Sequence, residues 1–348
     1  MRKLRTFVVI AAAAALAAGI AASAGAAPTR ADSTLNGAGS TLIQPAFSVW
    51  GPAYASATGV EINYSGIGSG GGISAITNRT VDFGASDAPL SPDQASACNG
   101  CVQIPWALSA TSVVYNVPGV GDTKLKLSGP VLANIFLGKV TSWNDASIKA
   151  LNPGLSLPDQ KITTVHRSDG SGDTYAFTDY LSKVSSTWRN QVGVNTAVNW
   201  PGGVGGNKNA GVSAVIGSTP GSIGYVSDAY ALQNHLAKAR LRNAFGKYTL
   251  PGITGIEAAA QTVKSVPADN KMSIVDPPAT KKFAAAWPIS TFTYIIVPTT
   301  SKNATDLRHF IFWALSPKQQ ASIKKLIFAP IPKVVLVAAE KTLTKIHS

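Results

Sequence analysis

Three times in its first 180 residues the chain passes from a short extended segment, through a turn of small residues, into a helix. Leu35-Asn-Gly-Ala-Gly-Ser-Thr41 leads into Ile43, Phe47, Trp50 and Tyr54, which recur at helical spacing, with Pro45 in the first turn where its missing N–H does little harm. Gly59 stops that helix, and Val60-Glu-Ile-Asn-Tyr64 alternates as a strand. Gly66-Ile-Gly-Ser-Gly-Gly-Gly72 opens a short helix to about residue 79, carrying Ile73 and Ile76, and Val81-Asp-Phe-Gly-Ala-Ser-Asp87 reads as the next strand. The third case is Ile162-Thr-Thr-Val-His166, the turn Arg167-Ser-Asp-Gly-Ser-Gly-Asp173, and a helix with Phe177, Tyr180, Leu181 and Val184 on one side. This order demands an open α/β sheet, because each helix must return the chain to lay a strand beside the last. Further strands are expected at Thr111–Val117, Ile223–Val226 and Thr291–Val297, with a short helix at Pro130–Leu137 and a loop at Pro201–Asn209. Helices at about 304–315 and 317–328 are expected to complete the chain, and no internal repeat is visible.

Each turn places Ser40-Thr41, Ser69-Gly70 or Ser171-Gly172 at the start of a helix, where backbone N–H groups lack internal partners and the dipole is positive. Any one of them reads as an ordinary N-cap, since serine and threonine are the usual capping residues. Three in one α/β chain favour a shared anion site. Rival motifs fare worse. Gly66-Ile-Gly68-Ser-Gly70-Gly71 satisfies the dinucleotide fingerprint, with Asp87 about 20 residues on, but a lone fingerprint is weak. No phosphate-binding P-loop occurs, because Val140 follows Gly138-Lys139, and Ser69 has Ile67 where a nucleophile elbow needs glycine. No Ser, His and Asp constellation for nucleophilic hydrolysis is visible.

The start of the chain says where such a site would work. Arg2, Lys3 and Arg5 precede an apolar run from Phe7 to Ala18, and small residues close the segment near Ala27. This is the pattern of a secretory signal, residues 1–27, whose run is short for a membrane span. Its removal takes three cations from the net charge of +13 and leaves +10, an excess that suits an anionic ligand or surface. The mature chain is expected to be exported and soluble, in a periplasm or cell-wall space. The two cysteines, Cys98 and Cys101, flank Asn-Gly. Redox motif, metal half-site and local disulfide are all compatible with C-x-x-C; the turn-forming Asn-Gly and the scatter of the four histidines favour the disulfide. At 348 residues the chain is long enough for two domains.

Several motifs together carry a resemblance. Gly37-Ala-Gly-Ser-Thr41, Tyr64-Ser-Gly-Ile-Gly-Ser69, Val81-Asp-Phe-Gly-Ala-Ser-Asp-Ala-Pro-Leu90 and His166-Arg-Ser-Asp-Gly-Ser-Gly172 are joined by Leu137-Gly-Lys, Trp143-Asn-Asp, Leu151-Asn-Pro-Gly-Leu, Gly221-Ser-Ile-Gly-Tyr225 and Trp287-Pro-Ile. In this order they resemble the phosphate-binding protein of the phosphate-specific ABC transporter, an extracytoplasmic solute-binding family. The resemblance implies a two-lobed α/β clamshell of the type II periplasmic-binding-protein kind. Lobe 1 would comprise residues 33–110 plus 287–348 and lobe 2 residues 111–286, with the ligand cleft between them. It further implies binding of inorganic phosphate and delivery to membrane permease subunits, by a monomer without catalysis, cofactor, metal or nucleic-acid partner. Another oxyanion binder, a surface adhesin and a phosphatase-like hydrolase on the same scaffold are the alternatives.

Carried over by position, Thr41, the backbone of Leu42, and Ser69 would donate from lobe 1, while Ser171 and Gly172 would donate from lobe 2. Arg167 would be the charged clamp, its planar fork matched to two oxygens; its alternative is an ion pair. Asp87 would accept the proton that phosphate carries and sulfate lacks, or else cap or pair structurally. Asp173 stands where many relatives have threonine. It would either accept a second ligand proton or turn away to cap the helix.

Overall fold

The computed structural model describes residues 33–348, so the segment 1–27 expected to be a secretory signal lies outside the described residues. Twelve strands are present among them: β1 (Thr34–Gly39), β2 (Glu61–Gly66), β3 (Phe83–Ser86), β4 (Cys101–Asn116), β5 (Lys126–Ser128), β6 (Thr163–Arg167), β7 (Val204–Gly206), β8 (Ser222–Ser227), β9 (Ala237–Lys238), β10 (Arg240–Arg242), β11 (Tyr248–Thr249) and β12 (Ser290–Pro298). Eight of them form one path, β2-β1-β3-β12-β4-β8-β6-β7, with β9 added on β4, while β11-β10-β5 make a small separate sheet. β1 pairs in parallel with β2 and β3, and β6 in parallel with β7 and β8. These are the pairings that strand–turn–helix crossovers produce.

β4 joins the two halves. Cys101–Ala110 pair antiparallel with β12 and Thr111–Asn116 with β8, so one 16-residue strand serves both. From sequence the strand is expected only from Thr111 to Val117; the observed strand is longer and includes Pro105, a residue with no N–H to give to a ladder. The structure admits Pro105 at a register shift between Thr293 and Tyr294 of β12, where the ladder is already interrupted. Two large apolar clusters lie either side of this axis. One gathers Phe47, Trp50, Tyr54, Phe83, Trp106 and Phe310; the other gathers Phe136, Trp143, Phe177, Trp188, Tyr225 and Trp287. Leu108, Phe292, Tyr294, Ala329 and Val335 pack into the second cluster although they flank the first half in sequence.

Other departures are local. Ser40-Thr41 do not begin a helix; a turn intervenes and the helix runs Gln44–Thr58, burying Phe47, Trp50 and Tyr54. The Pro201–Asn209 stretch contains β7 and leads directly into a helix, Lys208–Ser218, so it is not simply a loop. Glycine and asparagine obscure this strand, whose partner β6 supplies the stabilising ladder. The expected helix at 317–328 ends at Ser322 and continues only as a single tight turn. A further helix, Lys333–Leu343, follows it. Cys98 and Cys101 are joined in a disulfide. Among the described residues no helix is long and apolar enough to cross a membrane.

Candidate functional site

The three turns, distant in sequence, meet. β1 and β3 end side by side, placing Ser40 and Thr41 next to Asp87, and the helix Ser69–Thr77 starts against the same point. From the other half, β6 ends at Arg167, and Ser171 caps the helix Gly172–Val184 by accepting from Thr174 N. The two halves are in contact here: Gly70 N donates to Gly170 O, and Gly172 N donates to Ser69 Oγ at 3.0 Å. Glycine is needed at 172 because a Cβ there would lie 2.4 Å from both Cβ and Oδ2 of Asp87. Two tyrosines brace the turns. Tyr64, stacked on Phe47, donates to Ser40 O, while the Tyr225 hydroxyl receives Arg167 N and bonds the Thr174 hydroxyl.

All the residues expected to bind anion are buried here, yet their hydrogen bonds differ from the sequence expectation in several places. Leu42 N donates to Ser40 Oγ at 3.0 Å, and Ser40 Oγ in turn donates to Asp87 Oδ2 at 2.5 Å. Ser69 Oγ also reaches Asp87 Oδ2, at 3.4 Å, and receives Asp87 N and Gly172 N. Thus the amides of Leu42 and Gly172 are held on hydroxyl oxygens, and the hydroxyls lean towards one carboxylate. Among the described residues no group comes within hydrogen-bonding geometry of the buried Asp87 Oδ1, the Thr293 hydroxyl lying near the carboxyl without bonding it.

Arg167 and its neighbours set the charge. Its Nε and Nη2 grip Asp169 at 2.7 and 2.5 Å, and its Nη1 lies 3.4 Å from Asp173. Asp173 does not turn away: Oδ1 accepts from Thr111 Oγ1 at 2.7 Å, and Oδ2 accepts from Asn209 Nδ2 at 2.8 Å. Burial pushes the Asp87 carboxyl up to about 7, and the negative Asp173 adds to it, against the hydroxyls of Ser40 and Thr293 and the charge of Arg167. Burial also raises Asp173, opposed by Arg167, Asn209 and Thr111. Burial raises Asp169 too, but its bonds to Arg167 outweigh that and hold it below the ordinary value. One guanidinium therefore faces three carboxylates. A guest anion can enter such a field only if a proton comes with it or is taken up.

Comparison with known proteins fits this geometry. A family profile described as a PBP superfamily domain matches residues 23–318. The chain is 44% identical over 301 residues to a phosphate-binding protein PstS of Xylella fastidiosa (strain Temecula1), covering 86% of this chain and 81% of that one. The chain belongs to the PstS family of phosphate-binding proteins. A PstS protein of Haemophilus influenzae is 40% identical over 309 residues, covering 87% and 90% of the two chains. Two solved structures share the fold. One is a high affinity periplasmic phosphate-binding protein bound with phosphate (TM-score 0.72, 22% identity, 88% and 93% coverage). The other is a phosphate binding protein from Stenotrophomonas maltophilia (TM-score 0.69, 20% identity, 89% and 93% coverage). The architecture is the two-lobed α/β fold of this family.

Within that family frame, three polar participants are not picked out by the sequence, and Ser40, placed in the first turn, takes Asp87 as its partner. Thr111 is a small hydroxyl in a strand, with no local signal to separate it from many others. Asp169 has a signal, lying two residues from Arg167 within the same motif. Asn209 falls in the stretch expected to be loop, although it is wholly buried and contacts both halves.

Proposed function

We propose that the chain binds inorganic phosphate between lobes 33–110 plus 287–348 and 111–286, outside the cytoplasm, and passes it to the permease of an ABC transporter. In this reading Thr41, Ser69 and Ser171 supply hydroxyl donors, the amides of Leu42 and Gly172 exchange the Ser40 and Ser69 hydroxyls that hold them here for the anion, Arg167 supplies the charge, and Asp87 and Asp173 the acceptors. The observation that carries this reading is Asp87, a buried carboxylate surrounded by hydroxyl donors and a guanidinium. Such a group repels a bare anion and accepts from one bearing O–H, so it discriminates phosphate from sulfate, which carries no proton near neutrality. Charge-assisted hydrogen bonds contribute about 1.5–3 kcal/mol each. Several of them reach the roughly 8 kcal/mol of micromolar affinity. The protein acts without chemistry of its own, in keeping with relatives named as binding proteins.

Calorimetry with phosphate, in buffer holding excess sulfate and at two pH values, tests the proposal. Phosphate heat unaffected by sulfate is expected. Tight sulfate binding with no phosphate heat overturns it, and turnover of a chromogenic phosphomonoester overturns the non-enzymatic part.

A further inference from the structure

Asn209 lies in the helix Lys208–Ser218 and is completely buried. Its Oδ1 is 2.9 Å from the backbone N of Ser227, at the end of β8. That N–H can only donate, so the carbonyl of the amide must face it and the NH₂ group must face the other way. Two acceptors meet the NH₂: Thr41 Oγ1 at 2.9 Å and Asp173 Oδ2 at 2.8 Å. The donors of one amide thus join a turn of the first half to the carboxylate of the second.

The direction of these bonds has chemical consequences. Thr41 Oγ1 receives the Asn209 hydrogen, so the Thr41 hydroxyl keeps its own hydrogen for another partner. Asp173 receives Asn209 and Arg167 on one oxygen and Thr111 on the other, and three donors favour the anion over the acid. We propose that Asn209 is a positioning residue of the anion site, fixing Thr41 as a donor and Asp173 as an acceptor while tying the lobes together. It acts through those two side chains without touching the anion. This inference rests on the phosphate-binding reading above.

A double-mutant cycle on the full mature chain tests it, with phosphate affinity measured by calorimetry on Asn209→Ala, Thr41→Val and the double variant. Each single variant is expected to weaken binding about 10-fold or more. The double is expected within about 3-fold of the weaker single, because the two act as one unit. Independent, multiplying effects overturn the proposal, as does Asn209→Ala binding like wild type.

Asn209→Asp is the near-isosteric arm, and far-ultraviolet circular dichroism checks that it folds. A protonated carboxyl there still donates to Asp173, whereas a carboxylate repels it. Asn209 itself bonds Asp173 and Thr41, and Arg167 shares Asp173 Oδ2. Asp169 accepts from the neighbouring Lys208 N, Asp228 follows its partner Ser227 in the chain, and Tyr225 and Tyr230 feel the charge of Asp173. Relative to wild type, affinity of Asn209→Asp should fall at least about 10-fold between pH 5.5 and pH 8. A constant ratio across that range overturns the proposal. Absent phosphate binding by wild type overturns both readings; normal wild-type binding with a flat ratio and multiplying singles overturns only the role of Asn209.

Discussion

Replacing Asp87 by asparagine should change how the stability of the ligand-free protein depends on pH, in a direction opposite to the usual behaviour of a paired carboxylate. The Asp87 carboxyl ionises near 3.8 when exposed and is pushed up to about 7 in the folded chain, first by burial and then by the charge of Asp173. Between about pH 4 and pH 7 the folded state therefore holds a proton that the unfolded state has released. Stability must fall as pH rises through this window and level off above it. Three pH units at about 1.36 kcal/mol each set an upper bound of about 4 kcal/mol on the loss. The amide of the Asp87→Asn variant cannot ionise, yet its carbonyl oxygen still accepts from the Ser40 hydroxyl, so the substitution removes the charge and keeps the contact. The assay is urea unfolding of wild type and Asp87→Asn in phosphate-free buffer at half-unit steps from pH 4.5 to pH 8.5, read as extrapolated stability. The variant should gain on wild type by roughly 2–4 kcal/mol across the range, with most of the change below pH 7.5. A difference between the two proteins that is flat with pH would refute the claim that this carboxyl is buried at a cost. A difference of opposite sign would show that Arg167 and the hydroxyls outweigh burial.

Three further outcomes follow from the same contacts. Asp173→Asn removes the charge that helps raise Asp87, so the midpoint of the Asp87-linked stability change should move to lower pH in the same unfolding series. Gly172→Ala puts a methyl group 2.4 Å from the Asp87 side chain, and phosphate affinity measured by calorimetry should drop about 100-fold, on the order of 3 kcal/mol; unchanged affinity would mean that the halves bind anion without this close approach. Cys98→Ser with Cys101→Ser opens a loop of only a few residues, so thermal unfolding should report a loss of no more than about 2 kcal/mol, with phosphate affinity unaltered.

Much of the site is legible in the sequence because its parts are local. A strand, a small-residue turn and a helix are neighbours in the chain, and Ser171 capping its own helix needs nothing from elsewhere. The resemblance then attaches roles to Arg167, Asp87 and the donors by position. Which partner each group takes is not a local property. Leu42 N is expected to face the guest and instead meets Ser40 Oγ, because β1 and β3 end together and bring Asp87 to that hydroxyl. Asp173 stands between two roles in the sequence, and the convergence of Thr111, Asn209 and Arg167 on its carboxylate keeps it in the site.

The sequence by itself determined the repeated strand–turn–helix units, the small residues at their junctions and the type of chemistry those junctions carry. Backbone propensity and capping act over a few residues, so such features are written where they occur. Only the tertiary structure decided that β4 runs unbroken past Pro105 to serve both halves, that the final helix follows 328, and that Asn209 reaches Thr41 across 168 positions. It also decided the charge of the site. The raised Asp87 carboxyl reflects lost water and a facing Asp173, and both depend on chain segments far apart in sequence closing over the same small volume.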